Sequence, residues 1–160
     1  MERSQKLQRD LASSVMLAGM LASLVGPALF ARAQGDTLVR IVPSSAQIGV
    51  GDTVSLSVRI ENVTDLYSAE VNLTFDPLVL EVVDADPYLS GVQVQAGTFL
   101  RADGGYTYFY VNDTTGEIEF KQEVVGGTVS GSGVLVTITF RGKMPGTSTI
   151  AFNPIFDWDG

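Results

Sequence analysis

Acid–base chemistry in this chain can run only on carboxylates, lysine and tyrosine, because the chain holds no histidine and no cysteine. Ser-His-Asp and Cys-His catalysis are therefore excluded, as are disulfides and any Cys- or His-ligated zinc site. The densest ionisable stretch is Glu117, Glu119, Lys121 and Glu123, which alternate with Ile118, Phe120 and Gln122. Glu119 and Glu123 suggest a glycosidase carboxylate pair. Nothing around them indicates a cleft or a raised pKa, so a solvated strand face outweighs that reading. Just upstream, Tyr106, Tyr108 and Tyr110 alternate with Phe109 and Val111. Three tyrosines on one face of a strand have three readings. They offer large contact area with a polar tip, as protein interfaces favour. They pack across strands and merely stabilise a sheet. Or they form a stacking platform for sugar rings. Ser68, Glu70 and Asn72 are the polar members of another alternating run, and by themselves read as a solvated face.

The elements that must carry these residues are strands. Val54, Leu56, Val58 and Ile60 alternate with Ser55, Ser57, Arg59 and Glu61. Ala69, Val71, Leu73 and Phe75 alternate with Ser68, Glu70, Asn72 and Thr74. Val134, Val136, Ile138 and Phe140 alternate with Leu135, Thr137, Thr139 and Arg141, which places Leu135 on the wet side. Period two with one dry face predicts antiparallel sheets, each packed on one side. Shorter strands are expected at Leu38–Val42, Val79–Ala85, Gly97–Arg101, Tyr106–Val111, Glu117–Glu123 and Thr147–Phe152. Asp103-Gly104-Gly105 and Asn112-Asp113-Thr114-Thr115-Gly116 have the composition of hairpin connections. No amphipathic helix is visible after Gln34. Many short strands at this spacing predict an all-β sandwich or jelly roll. The core is expected to contain Leu56, Val58, Val71, Leu73, Phe75, Phe120, Ile138 and Phe140.

The formal charge is −8. Residues 1–33 carry four basic and two acidic side chains, which leaves 6 basic and 16 acidic in the remainder, a formal −10. Such a surface repels phosphate backbones and anionic membranes, so nucleic acid is not an expected partner.

The first 33 residues have their own pattern. Arg3, Lys6 and Arg9 precede an uncharged run from Leu11 to Phe30, closed by Gly26-Pro27 and the small-residue site Ala31-Arg32-Ala33. This is the layout of a secretory signal peptide cleaved after Ala33, with a retained membrane anchor as the alternative. After cleavage no membrane span is expected, and the product would be secreted or held at the cell surface.

The order of motifs in residues 37–160 is the most specific feature. Gly51-Asp52-Thr53-Val54 opens a strand ending at Glu61-Asn62-Val63. Leu66 to Phe75 leads into Phe75-Asp76-Pro77 and then Leu80-Glu81-Val82-Val83. Gly116-Glu117-Ile118-Glu119-Phe120, Gly133-Val134-Leu135, Ile138-Thr139-Phe140 and Gly146-Thr147-Ser148-Thr149-Ile150 follow. This series resembles the cohesin domains of bacterial cellulosomal scaffoldins, from Leu38 to the end. The resemblance implies an all-β, nine-stranded jelly-roll sandwich. It implies a non-catalytic module that binds a dockerin and so assembles carbohydrate-active enzymes for polysaccharide breakdown. No cofactor is expected on this chain; calcium is expected on the dockerin only. The resemblance puts partner contacts on Ser68, Glu70 and Asn72, on Tyr106, Tyr108 and Tyr110, and on Glu119 and Lys121. Against the family pattern, the chain stops at Asp157-Trp158-Asp159-Gly160, so the last strand is expected to be missing through truncation. A carbohydrate-binding module of similar sandwich fold, with polysaccharide as its ligand, is the alternative. It would be expected to present Trp platforms, whereas Trp158 stands in the tail.

Overall fold

Among the residues that the computed structural model describes, 35–100 and 105–153, alternation of apolar and polar residues resolves into nine strands and no helix. The expected signal segment, most of the Asp103-Gly104-Gly105 turn and the tail from 154 onward, where the missing last strand was expected, lie outside the described residues. Two antiparallel sheets form. One runs β1 (Leu38–Val42), β2 (Thr53–Leu66), β8 (Val129–Gly142), β4 (Leu80–Val82), with β5 (Gln95–Ala96) also paired to β8. The other runs β6 (Tyr106–Asn112), β7 (Glu117–Glu123), β3 (Ser68–Thr74), β9 (Ala151–Phe152).

All eight residues expected in the core are buried, and Val58, Phe120 and Phe140 are wholly inaccessible. They lie on the dry faces of β2, β3, β7 and β8, with Phe75 just past the end of β3. The two sheets bury these faces against each other, as in a sandwich. The Phe75 and Phe140 rings meet edge to face, centroids 5.3 Å apart, tying the end of β3 to β8.

The β2–β8 pair is the spine, and it is irregular where the pattern breaks. The register shifts between Val58 and Arg59, between Ile60 and Val63, and between Val63 and Leu66. At the last two shifts β2 carries one extra residue, and Asn62 and Asp65 take positive φ there (56° and 53°). Asn and Asp tolerate this left-handed backbone better than other side chains. Their N–H groups donate to Ser132 Oγ and Ser130 Oγ, both at 3.0 Å, which replaces the lost ladder bonds.

The first shift corrects the expectation for Leu135. Val136 pairs with Val58 and Val134 with Arg59, so Leu135 is the extra residue of a bulge. Its side chain is 2% exposed and belongs to the core, not to the wet face. The strand expected at Gly97–Arg101 is also corrected. Strand pairing ends at Ala96, and Gly97 then approaches β8 so closely that a Cβ there would stand 1.9 Å from Val134 O. Beyond it the chain turns inward: Phe99 lies over Gly133 and Leu100 is fully buried. Residues 97–100 therefore plug the core. The strands expected at Val79–Ala85 and Thr147–Phe152 are shorter than their apolar runs. Asp76 caps the turn before β4 by accepting Leu78 N–H at Oδ1 and Leu80 N–H at its carbonyl.

Candidate partner-binding face

The site begins with one turn. Asn112 Oδ1 accepts the N–H groups of Thr114 and Thr115, and Asn112 O accepts that of Gly116 at 2.8 Å. Gly116 has φ 73°, and a Cβ there would stand 2.1 Å from Phe75 O, so only glycine fits. Asp113 Oδ1 accepts Val82 N–H and ties the turn to the opposite sheet. A turn held this firmly sets the β6–β7 register.

That register aligns the polar side chains in rungs across three strands. Tyr106 stands opposite Glu123, and Glu123 opposite Ser68. Tyr108, Lys121 and Glu70 make the next rung, and Tyr110, Glu119 and Asn72 the third. Asn112, Glu117 and Thr74 form a fourth. All eight residues singled out in the sequence thus share one outer face. The fourth rung was missed; only the pairing of β3 with β7, which alternation does not specify, brings it alongside.

Tyr106, Tyr108 and Tyr110 are 54%, 38% and 47% exposed. Phe109 and Val111, on the reverse of β6, pack against the core. The tyrosines therefore stand on the sheet without being consumed by it. Asn112 Nδ2 donates to Tyr110 Oη at 3.2 Å. Lys121 Nζ lies 3.0 Å from Glu123 Oε1, and Asn72 Nδ2 donates to Glu70 Oε1 at 3.3 Å. Partial desolvation on the face pushes the Tyr108 phenol above its ordinary value, and the charges of Glu119, Tyr106 and Tyr110 add to this. The hydrogen bond and charge of Glu123 push Lys121 up, with help from Glu70 and Tyr106 against some desolvation. Neither shift moves toward neutrality, where acid–base catalysis would need it.

Glu119 and Glu123 are four residues apart on one strand, so about 13 Å at roughly 3.3 Å per residue. That exceeds the ~5–9.5 Å span of glycosidase pairs, and Glu123 is already engaged by Lys121. A groove of about 860 Å³ opens elsewhere, between residues 43–50 and 144–150, over Ile41, Leu56 and Phe140. None of the candidate site residues lines it. No cluster of three or more His, Cys, Asp or Glu able to hold a metal ion occurs among the described residues.

A sandwich of this topology has relatives. The family model described as the cohesin domain matches residues 39–155. This chain belongs to the cohesin domain family. Cellulose-binding protein A of Clostridium cellulovorans is 31% identical over 107 residues, 66% of this chain and 5% of that protein. Cell surface glycoprotein 1 of Acetivibrio thermocellus is 25% identical over 150 residues, 78% of this chain and 6% of that protein. The cohesin chain thus spans about one-twentieth of the length of these curated relatives. Among solved structures, a type II cohesin domain from the cellulosome of Acetivibrio cellulolyticus superposes with a TM-score of 0.61 at 23% identity. The match covers 74% of each chain. A type I cohesin–dockerin complex from Clostridium thermocellum matches with a TM-score of 0.58 at 18% identity, over 74% of this cohesin and 82% of that chain. These structural likenesses carry the jelly-roll fold.

Proposed function

We propose that this cohesin is a non-catalytic docking module of an exported scaffold, and that it binds a dockerin borne by a carbohydrate-active enzyme or an anchor. The family match over residues 39–155 carries the reading. It is supported by the structural neighbours that are cohesin–dockerin complexes. The contact surface in this reading is the face holding Ser68, Glu70, Asn72, Tyr106, Tyr108, Tyr110, Glu119 and Lys121. Three half-exposed tyrosines in a row offer area at low entropic cost, and the flanking amide and carboxylate groups supply orientation. Calcium belongs to the dockerin, which needs it to fold. Export follows from the signal-like pattern of residues 1–33 and agrees with the name of the cell surface relative. Among the described residues no helix is long and apolar enough to cross a membrane.

The test is calorimetry of the purified protein against the dockerins of its source genome, with and without a calcium chelator. Soluble and insoluble glycans are run alongside. Chelator-sensitive binding of a dockerin is expected. Glycan binding without any dockerin response would instead assign the tyrosine row to sugar stacking.

A further inference from the structure

Glu119 differs from every other charged group on the tyrosine face. Glu123 is bonded to Lys121. Glu70 accepts from Asn72 Nδ2 and stands opposite Lys121. Glu117 accepts from Thr115 Oγ1 at 2.7 Å. Glu119 has no hydrogen bond or ion pair among the described residues, although its side chain is only half-exposed. In the unbound protein water solvates it. A partner laid over this face removes that water, and a desolvated carboxylate without a counter-charge is strongly unfavourable. A partner that binds here must therefore bring a cation to this point.

The surroundings select which cation. Tyr110 stands directly opposite Glu119 on β6, with Tyr108 one rung away, and Asn72 stands directly opposite on β3. Asn72 spends Nδ2 on Glu70, which leaves its Oδ1 as an acceptor. Two phenol rings, a carboxylate and an amide oxygen suit a planar guanidinium, which pairs with carboxylates through two parallel bonds and stacks on aromatic faces. An ammonium would use the charge but not the planes. On the two adjoining rungs Lys121 stands between Glu70 and Glu123 and already supplies their counter-charge.

We propose that the Tyr110–Glu119–Asn72 rung is the socket for one arginine side chain of the docking partner, and that this pair is the main charge determinant of partner choice. The inference rests on the reading of this face as the dockerin site. The field of Glu119 already reaches the Tyr108 phenol, whose proton it helps to hold. A dockerin lacking an arginine at the matching position should be rejected, because it would bury the carboxylate unpaired.

The experiment takes the dockerin that binds best in the panel and compares the wild-type protein with E119Q and E61Q. Glu61 is paired with Arg40 on the other sheet, so E61Q makes the same change in net charge away from the face. Circular dichroism melts keep fold defects apart from binding defects. E119Q should weaken binding about tenfold or more and flatten its salt dependence, with E61Q within about twofold. Changing each dockerin arginine to glutamine should find one whose loss is no longer additive with E119Q. An E119Q effect within twofold, one matched by E61Q, or additivity with every dockerin arginine would overturn the socket and leave dockerin binding intact. If no dockerin in the panel binds the wild-type protein, the docking function and the socket fall together.

Discussion

The two outer faces of this sandwich are made from the same kind of alternating strand and yet are chemically opposite. On the β1-β2-β8 sheet the outward side chains complete one another. Ser55 meets Thr139 at 2.8 Å and Ser57 meets Thr137 at 3.0 Å, hydroxyl to hydroxyl across the β2–β8 ladder. Arg141 pairs with Glu81 at 3.0 Å and Arg40 pairs with Glu61. This surface is largely self-satisfied and has little to gain from a partner. On the β6-β7-β3 sheet the outward residues include three tyrosines, four glutamates and one lysine, beside two asparagines, a serine and a threonine. Much of their hydrogen-bonding and contact capacity is unused. Interfaces draw energy from such unfilled, desolvatable groups. The lesson is that a candidate binding face is marked by what its side chains leave undone, not by exposure alone.

The comparison can be broken most forcefully from the inside. Phe140 backs the first sheet and Phe120 the second, and both are wholly buried. Phe140→Ala and Phe120→Ala should each cost about 3–5 kcal/mol in urea unfolding. Near-equal losses would place the difference between the faces on their outer sides only. A loss below about 1 kcal/mol at either would mean that its sheet is not packed as described.

A smaller effect is expected for binding. Tyr108→Ala should weaken dockerin binding by about 2 kcal/mol or more in calorimetry while leaving the fold intact. Thr139→Ala, on the opposite face, should leave binding unchanged. Equal effects at the two positions would erase the distinction between a docking face and a passive one.

The smallest effect sharpens the electrostatic contrast. Tyr108 and Lys121 both hold their protons more tightly than the ordinary 10.0 and 10.5. The folded state therefore binds more protons than the unfolded chain in that range, so stability falls as pH rises past about 10. Below the ordinary values the Lys121 contribution is fully present, and it is lost as pH passes its raised folded value. Denaturant midpoints of K121M and Y108F should show a shallower alkaline decline than those of the wild type. An unchanged decline in both would mean that the face does not hold these protons.

How far these features were legible from the residues differs from place to place. The phase of β2, β3 and β7 was readable because an apolar residue at every second position has one dry side to go to. The hairpin at Asn112–Gly116 was readable because asparagine and glycine supply the side-chain acceptor and the left-handed backbone that it uses. Leu135 was not readable. A bulge adds one residue to β8 and turns the next side chain inward, and a two-residue period gives no notice of it. Residues 97–100 have strand-like composition, but Gly97 and Gly133 allow a close approach that makes them a plug.

Residue order alone set the dry and wet sides of β2, β3 and β7, the acidic surface, and the absence of histidine and cysteine chemistry. These depend on residue type and near neighbours. Only the tertiary structure decided that β3 lies between β7 and β9, and hence that Glu119 faces Tyr110 on one side and Asn72 on the other. Alternation states which face a side chain takes but not which strand will lie beside it. That choice was made by the burial of two sheets against each other, a non-local energy that no short stretch of chain contains.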